Sequence, residues 1–208
     1  MKAEKLEELA KQISSCQYCP LYKSATQAVP GEGNSEAKII FIGEGPGYWE
    51  DRKGIPFCGP SGELLDELLN LINLKRKDVF IGNVVKHRPP ENRDPLPLEI
   101  EACKIWLDKQ IETINPEIIV TLGRFSLNKF LPGEFISRVH GQPRCVNFAG
   151  KKRIIVPMYH PAAALRGETV MMAIREDFQK IPALLRQPES IEETGKSEES
   201  NEQLNLIS

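Results

Sequence analysis

Four short apolar runs recur along the chain, each followed by a stretch of helical periodicity. They are "AKIIFIGEG" (37–45), "DVFIGNVVK" (78–86), "EIIVTLG" (117–123) and "RIIVPMYHP" (153–161). Each is too short for a buried helix and ends in turn residues, which is the pattern of a strand buried on both faces. Helices are expected at "EKLEELAKQIS", at "SGELLDELLNLINL" with Ser61 as N-cap, at "PLEIEACKIWLDKQIETI", at "RFSLNKFL" and over 169–186. In the third of these, Ile100, Cys103, Leu107, Ile111 and Ile114 share one side. Strands alternating with helices predict an α/β fold, a three-layer α/β/α arrangement around a central, mainly parallel sheet.

Ligands in such folds bind beyond the carboxyl ends of the strands. Three strand ends run into unusual segments: "GEGPGYWED", "NVVKHRPP" and "MYHPAAALR". "GEGPG" is a tight turn after a strand, but it lacks the Gly-Lys-Ser/Thr of a phosphate loop. In "GIPFCGPSGELL", Phe57 is read either as a core aromatic or as a platform for a planar base. His160 stands at a strand end before Pro161 and a small helix, a more suspicious place than a random core position.

The chain has five cysteines, Cys16, Cys19, Cys58, Cys103 and Cys145, an odd number. No secretory leader is expected ahead of them, since the stretch "MKAEKLEELAKQIS" is charged and amphipathic, and no apolar run here is long enough for a membrane span. A cytoplasmic chain with metal or cluster ligation at the close pair "CQYC" is the expectation. Net charge is −2, but residues 188–208 carry Glu189, Glu192, Glu193, Glu198, Glu199 and Glu202 against Lys196, leaving the body mildly basic. That balance permits phosphate binding without requiring it. The division expected is one domain over 1–187 and a disordered acidic tail over 188–208.

Six segments in order, "CQYCPL", "GEGPGYWED", "GIPFCGPSGELL", "NVVKHRPPENRDP", "TLGRFSL" and "YHPAAALR", resemble the family 4 uracil-DNA glycosylases, the iron-sulfur branch of that superfamily. The likeness spans roughly residues 5 to 186. It implies a DNA repair glycosylase acting as a monomer, which flips uracil from DNA and hydrolyses its glycosidic bond. Phe57 matches the residue on which uracil stacks, and Asn83 the amide that reads its Watson–Crick edge. His160 matches the donor to uracil O2. Glu44 matches a carboxylate that positions water or stabilises the sugar cation, with Gly45 where other branches carry Asp or Asn. Glu50 stands where a side chain excludes the thymine methyl, although a solvated loop glutamate fits as well. Arg88 and Arg166 are expected to meet DNA. The alternative of another class is a non-catalytic DNA-binding module on the same fold.

The resemblance also implies a [4Fe-4S] cluster. Cys16, Cys19 and Cys103 match three ligands, but His87 stands where the family has a fourth cysteine. Imidazole ligates iron in Rieske centres, so a Cys3His cluster is chemically sound; tetrahedral zinc, or a cluster lacking the fourth ligand, are the other readings. Cys58 and Cys145 are expected to be free thiols. In the tail, "QLNLI" resembles the peptide by which bacterial repair proteins dock on the sliding clamp, with Leu204, Leu206 and Ile207 as apolar anchors and Gln203 bonding the groove's edge.

Overall fold

All four apolar runs are strands, and their order in the sheet is what opens a crevice. The computed structural model describes residues 1–186. In chain order the elements are α1 (Lys2–Ser14), β1 (Glu32–Gly33), β2 (Ile39–Gly43), α2 (Tyr48–Lys53), α3 (Pro60–Leu71), β3 (Phe80–Asn83), α4 (Pro97–Ile114), β4 (Ile118–Leu122), α5 (Arg124–Phe130), α6 (Ile136–Val139), β5 (Arg144–Phe148), β6 (Lys151–Met158), α7 (Pro161–Ala164) and α8 (Glu168–Arg186). The sheet has six strands in the order β1-β3-β2-β4-β6-β5. The central four, the ones read from sequence, pair in parallel; β1 and β5 close the edges antiparallel to β3 and β6. The sheet is therefore mixed, with a parallel centre.

Period-2 alternation along the parallel strands feeds two cores. Ile39, Phe41, Ile118 and Val120 pack with α3 and α8 through Leu65, Leu68, Ile174 and Phe178. Ile40, Ile42, Ile119 and Ile155 pack on the other face with α1 and α4 through Ile13, Leu107 and Ile111. Both faces are covered, so the strands are apolar throughout. The helices after β2 and β3 leave toward opposite faces, and the carboxyl ends of these two neighbours part there. This is the switch-point geometry of open α/β sheets.

Some boundaries differ from expectation: β3 stops at Asn83, short of the run read to Lys86, and α3 stops at Leu71 rather than Leu74. α3 begins at Pro60, with Gly59 in extended conformation at the N-cap position, so Ser61 is not the cap. Proline's fixed φ suits the first helical turn, and it claims that place one residue early. No helix among the described residues is long and apolar enough to cross a membrane. The expectations for the tail, including Gln203 to Ile207, lie outside the described residues.

Candidate active site

The crevice is a cavity of about 590 Å³. Its wall is made by the residues that end the parallel strands: Glu44 after β2, Asn83 at the end of β3, Gly123 after β4, and Tyr159 and His160 after β6. Register brings Gly43 opposite Asn83 and Leu122 opposite Met158, so these ends lie level.

Asn83 sits in the wall at 1% exposure, and neither Oδ1 nor Nδ2 finds a hydrogen-bond partner among the described residues. An unpaired buried polar group costs on the order of 1–3 kcal/mol. Two on one amide mark a place built for a ligand with an adjacent donor and acceptor. Space for the amide comes from Gly43: a Cβ there would lie 2.4 Å from Asn83 Oδ1 and 2.6 Å from the Phe57 ring. Lys86, fully buried, donates from Nζ to the Asn83 carbonyl at 2.9 Å and to Gln110 Oε1 at 2.7 Å, fixing the backbone behind the amide. Burial pushes the Lys86 ammonium down to about 8.

Phe57 is buried in the same wall and adopts φ +50°, a left-handed conformation that a bulky L residue rarely takes. Two contacts hold it. The N-terminal turn of α3 presses on the Phe57 carbonyl, where a Cβ at Gly62 would lie 1.6 Å from that oxygen. Arg76 donates to the same carbonyl and to the Pro56 carbonyl (2.9 Å), while Asp66 (2.6 Å) and Glu32 (2.7 Å) anchor the guanidinium. These partners hold the Arg76 proton more tightly than burial weakens it.

The His160 ring stacks beside Phe57, with centroids 5.5 Å apart. It caps the first turn of α7: Nδ1 accepts the Ala162 N–H at 3.1 Å. An accepting Nδ1 places the proton of a neutral imidazole on Nε2. Desolvation pushes the imidazolium down to about 4, so the ring is neutral at physiological pH. Glu44 is raised to about 7, first by burial, then by Asp94, with Arg124 opposing. Glu50 lines the cavity with its Oε1 accepting the Cys58 N–H at 3.1 Å, which removes it from the class of freely solvated loop glutamates.

Gly45 and the exposed Arg166 line the cavity; Arg88 does not. Arg88 is half-buried, bonds Asn92 Oδ1 at 2.7 Å and lies over the Tyr48 ring. Sequence reasoning missed Arg124, which follows β4, pairs with Asp94 and faces the cavity. Applying the strand-end rule to "TLGR" finds it. It also missed Arg93, which lines the cavity and holds the buried Glu99 by two bonds. Arg76 and Lys86 left no sequence signal, because both act on backbone carbonyls.

Cys16, Cys19 and Cys103 are neighbours, and burial, with smaller contributions from the adjacent cysteines, pushes Cys19 up and Cys103 up to about 11. Two N–H groups already aim at sulfur: Trp106 Nε1 at Cys16 Sγ (3.1 Å) and the Lys86 amide at Cys103 Sγ (3.3 Å). His87 follows Lys86 directly, is buried, and makes no side-chain hydrogen bond among the described residues. Desolvation lowers its pKa, and Asp51 opposes. Among the described residues no group of three or more His, Cys, Asp or Glu side chains is arranged to hold a single metal ion. All five cysteines are unpaired.

A family model described as the Uracil DNA glycosylase superfamily matches residues 30–185. The chain is 47% identical to the type-4 uracil-DNA glycosylase of Archaeoglobus fulgidus over 87% of its own length and 94% of that protein. It is 41% identical to the type-4 uracil-DNA glycosylase of Thermotoga maritima, over 89% and 97%. To the type-5 uracil-DNA glycosylase of Thermus thermophilus it is 34% identical, but over only about half of each chain. A parallel sheet with an orphaned amide, an aromatic and a histidine at its strand ends, together with these matches, places the chain in the uracil-DNA glycosylase superfamily, in its type-4 branch.

Proposed function

We propose that this chain excises uracil from DNA by hydrolysing the bond between N1 and the deoxyribose C1′, leaving an abasic site. The observation that carries this reading is the unpartnered Asn83 amide in the cavity wall beside Phe57. Uracil offers O4 as acceptor and N3–H as donor side by side, which satisfies Nδ2 and Oδ1 together; cytosine offers the reverse order. A base inside the duplex cannot reach such a wall, so the nucleotide must be flipped out.

The other residues then take roles. Phe57 stacks under the base, held by Arg76. As the C1′–N1 bond breaks, its electron pair leaves with uracil and negative charge grows on O2. His160, neutral with its proton on Nε2, donates to that oxygen. A donor fixed before the reaction needs no reorganisation, and such a donor contributes on the order of 10²–10³ in rate. Glu44 as carboxylate orients the water that attacks C1′ and faces the cationic sugar. Glu50, fixed by the Cys58 N–H, excludes the methyl of thymine, and the Gly45 backbone approaches the base. Arg166, Arg88 and the rim arginines meet phosphates.

Cys16, Cys19, Cys103 and His87 would hold the [4Fe-4S] cluster that the type-4 branch implies. The aimed N–H groups and the burial of Cys19 and Cys103, with Cys16 partly buried beside them, suit sulfur ligands to iron, since hydrogen bonds to coordinating sulfur are part of such sites. When bound, the cluster supplies a structural cross-link between the segment after α1, the loop after β3 and α4. A DNA-binding module without catalysis would have no use for the orphaned amide.

The test is excision from a uracil-containing oligonucleotide, read as strand cleavage after alkali, with thymine and cytosine controls. Wild type should cut at uracil alone, and Asn83→Asp should shift preference toward cytosine. An unchanged preference removes Asn83 from base reading, and no cleavage at uracil rejects the activity.

A further inference from the structure

α2 runs along the rim of the cavity: Gly47 and Glu50 line it, while Tyr48 and Trp49 stand outside, at 44% and 50% exposure. Neither aromatic has a role in the chemistry above, and two adjacent exposed rings beside a catalytic cavity call for one. The helix sorts its polar residues by direction. Its acids point inward: Asp51 is buried and accepts the Thr26 N–H at 2.8 Å, and Glu50 bonds the Cys58 N–H. Its cations point outward and gather on the rings. Arg52 lies over Tyr48 (5.6 Å to the centroid), Arg88 from the loop after β3 over the same ring (5.3 Å), and Lys53 over Trp49 (5.9 Å).

We propose that this face is a binding platform for single-stranded DNA, taking the nucleotides next to the flipped uracil. The inference rests on the uracil reading of the cavity for its position, and on three observations for its partner. Exposed aromatics interleaved with cations are what a strand with unstacked bases and a phosphate backbone requires. An outward face of three cations, with the acids withdrawn, complements that backbone. The two ring planes meet at 82° with centroids 5.2 Å apart. Two bases cannot lie flat on both rings while stacked on each other, as a duplex keeps them; a splayed single strand satisfies both. The guanidinium planes over Tyr48 either yield that face to a base or sandwich it. The platform adjoins the cavity through Gly47 and Glu50, so a strand with its uracil seated there runs directly onto it.

The experiment uses the full chain and a labelled thymine-only oligonucleotide, single-stranded or in duplex, with affinity read by fluorescence anisotropy. In parallel, the tryptophan emission that disappears in Trp49→Phe isolates the signal of Trp49; Trp106, the other tryptophan, is only 4% exposed. Single strand should quench Trp49 saturably. The double variant Tyr48→Ala/Trp49→Ala should lose roughly tenfold in single-strand affinity per ring, a larger loss than on duplex, and Tyr48→Phe/Trp49→Phe should restore most of it. Equal losses on both forms, no loss on either, or no rescue by phenylalanine overturns the proposal. Because the probe lacks uracil, the two readings fail separately. Quenching without excision rejects the glycosylase activity alone, and excision without a Trp49 response rejects the platform alone.

Discussion

His160 and Glu44 face the same cavity, yet their environments drive their protons in opposite senses relative to function. The imidazolium is pushed down to about 4, so the ring remains a neutral donor across the working range. In its proposed role the hydrogen bond would strengthen only as charge develops on the leaving base, so its contribution would lie in kcat. His160→Ala is therefore expected to lower kcat by roughly 10²–10³ with little change in affinity for uracil-containing DNA; equal losses in both would make His160 a binding group. Glu44 is raised from 4.5 to about 7, and its proposed role needs the carboxylate. In the free enzyme kcat/KM should rise about tenfold per unit of pH below 7 and level off above it. Glu44→Gln should remove that limb along with most of the rate, and a pH profile unchanged in shape would assign the limb to another group. The same shift bears on folding. The folded chain holds this proton more tightly than the unfolded one, so Glu44 diminishes stability as pH climbs from about 4.5 through about 7.

At the scale of elements, the Phe57 loop is shaped from outside the cavity. A left-handed Phe is costly, and it persists because α3 crowds its carbonyl at Gly62 while Arg76 binds that carbonyl and is itself held by Asp66 and Glu32. Arg76→Ala should let the ring drift. A displacement of about 1 Å can cost on the order of 10² in rate, so kcat/KM should fall 10- to 100-fold, and free uracil should become a weaker inhibitor. Arg76→Lys should recover only part, because it cannot span two carbonyls and two carboxylates. A lowered Tm with unchanged kcat/KM and unchanged uracil inhibition would reduce Arg76 to a stabilising role. This clamp also shows where sequence stops being informative. The four parallel strands, α4 to the residue, and the strand-end positions of Glu44, Asn83 and His160 were legible because hydrophobic period and strand polarity are written locally. Arg76 was not, since its targets lie 19 and 20 residues away and are backbone carbonyls that carry no side-chain identity. β1 has two residues, β5 is only half-buried, and α2 is a six-residue helix, so none offers a period to read.

Over the whole molecule, the two faces of the sheet are tied differently. The α3–α8 face is closed mainly by aliphatic and aromatic packing, with the Arg175–Glu67 ion pair at its edge and His140 bonded to the buried Asp177 of α8. The α1–α4 face includes Cys19 and Cys103 in its core, with Cys16 packed against it, and gathers three segments far apart in sequence. A cluster on Cys16, Cys19, Cys103 and His87, as proposed, would cross-link those segments, and through Lys86, one residue from His87, it would adjoin the backbone of Asn83. The protein purified without oxygen should be brown and contain iron and sulfide. Cys103→Ala should lose the iron and, if the cross-link contributes a few kcal/mol, lower Tm on the order of 10 °C for a chain of this size. His87→Cys should keep the iron and lower the reduction potential, because an anionic thiolate replaces a neutral imidazole and favours the oxidised cluster. These readouts separate the three readings of His87. Stoichiometric zinc in place of iron rejects the cluster. Iron retained in His87→Ala, with the wild-type potential, shows that the imidazole is not a ligand. Iron retained in His87→Cys at a lower potential, but lost in His87→Ala, identifies it as the fourth.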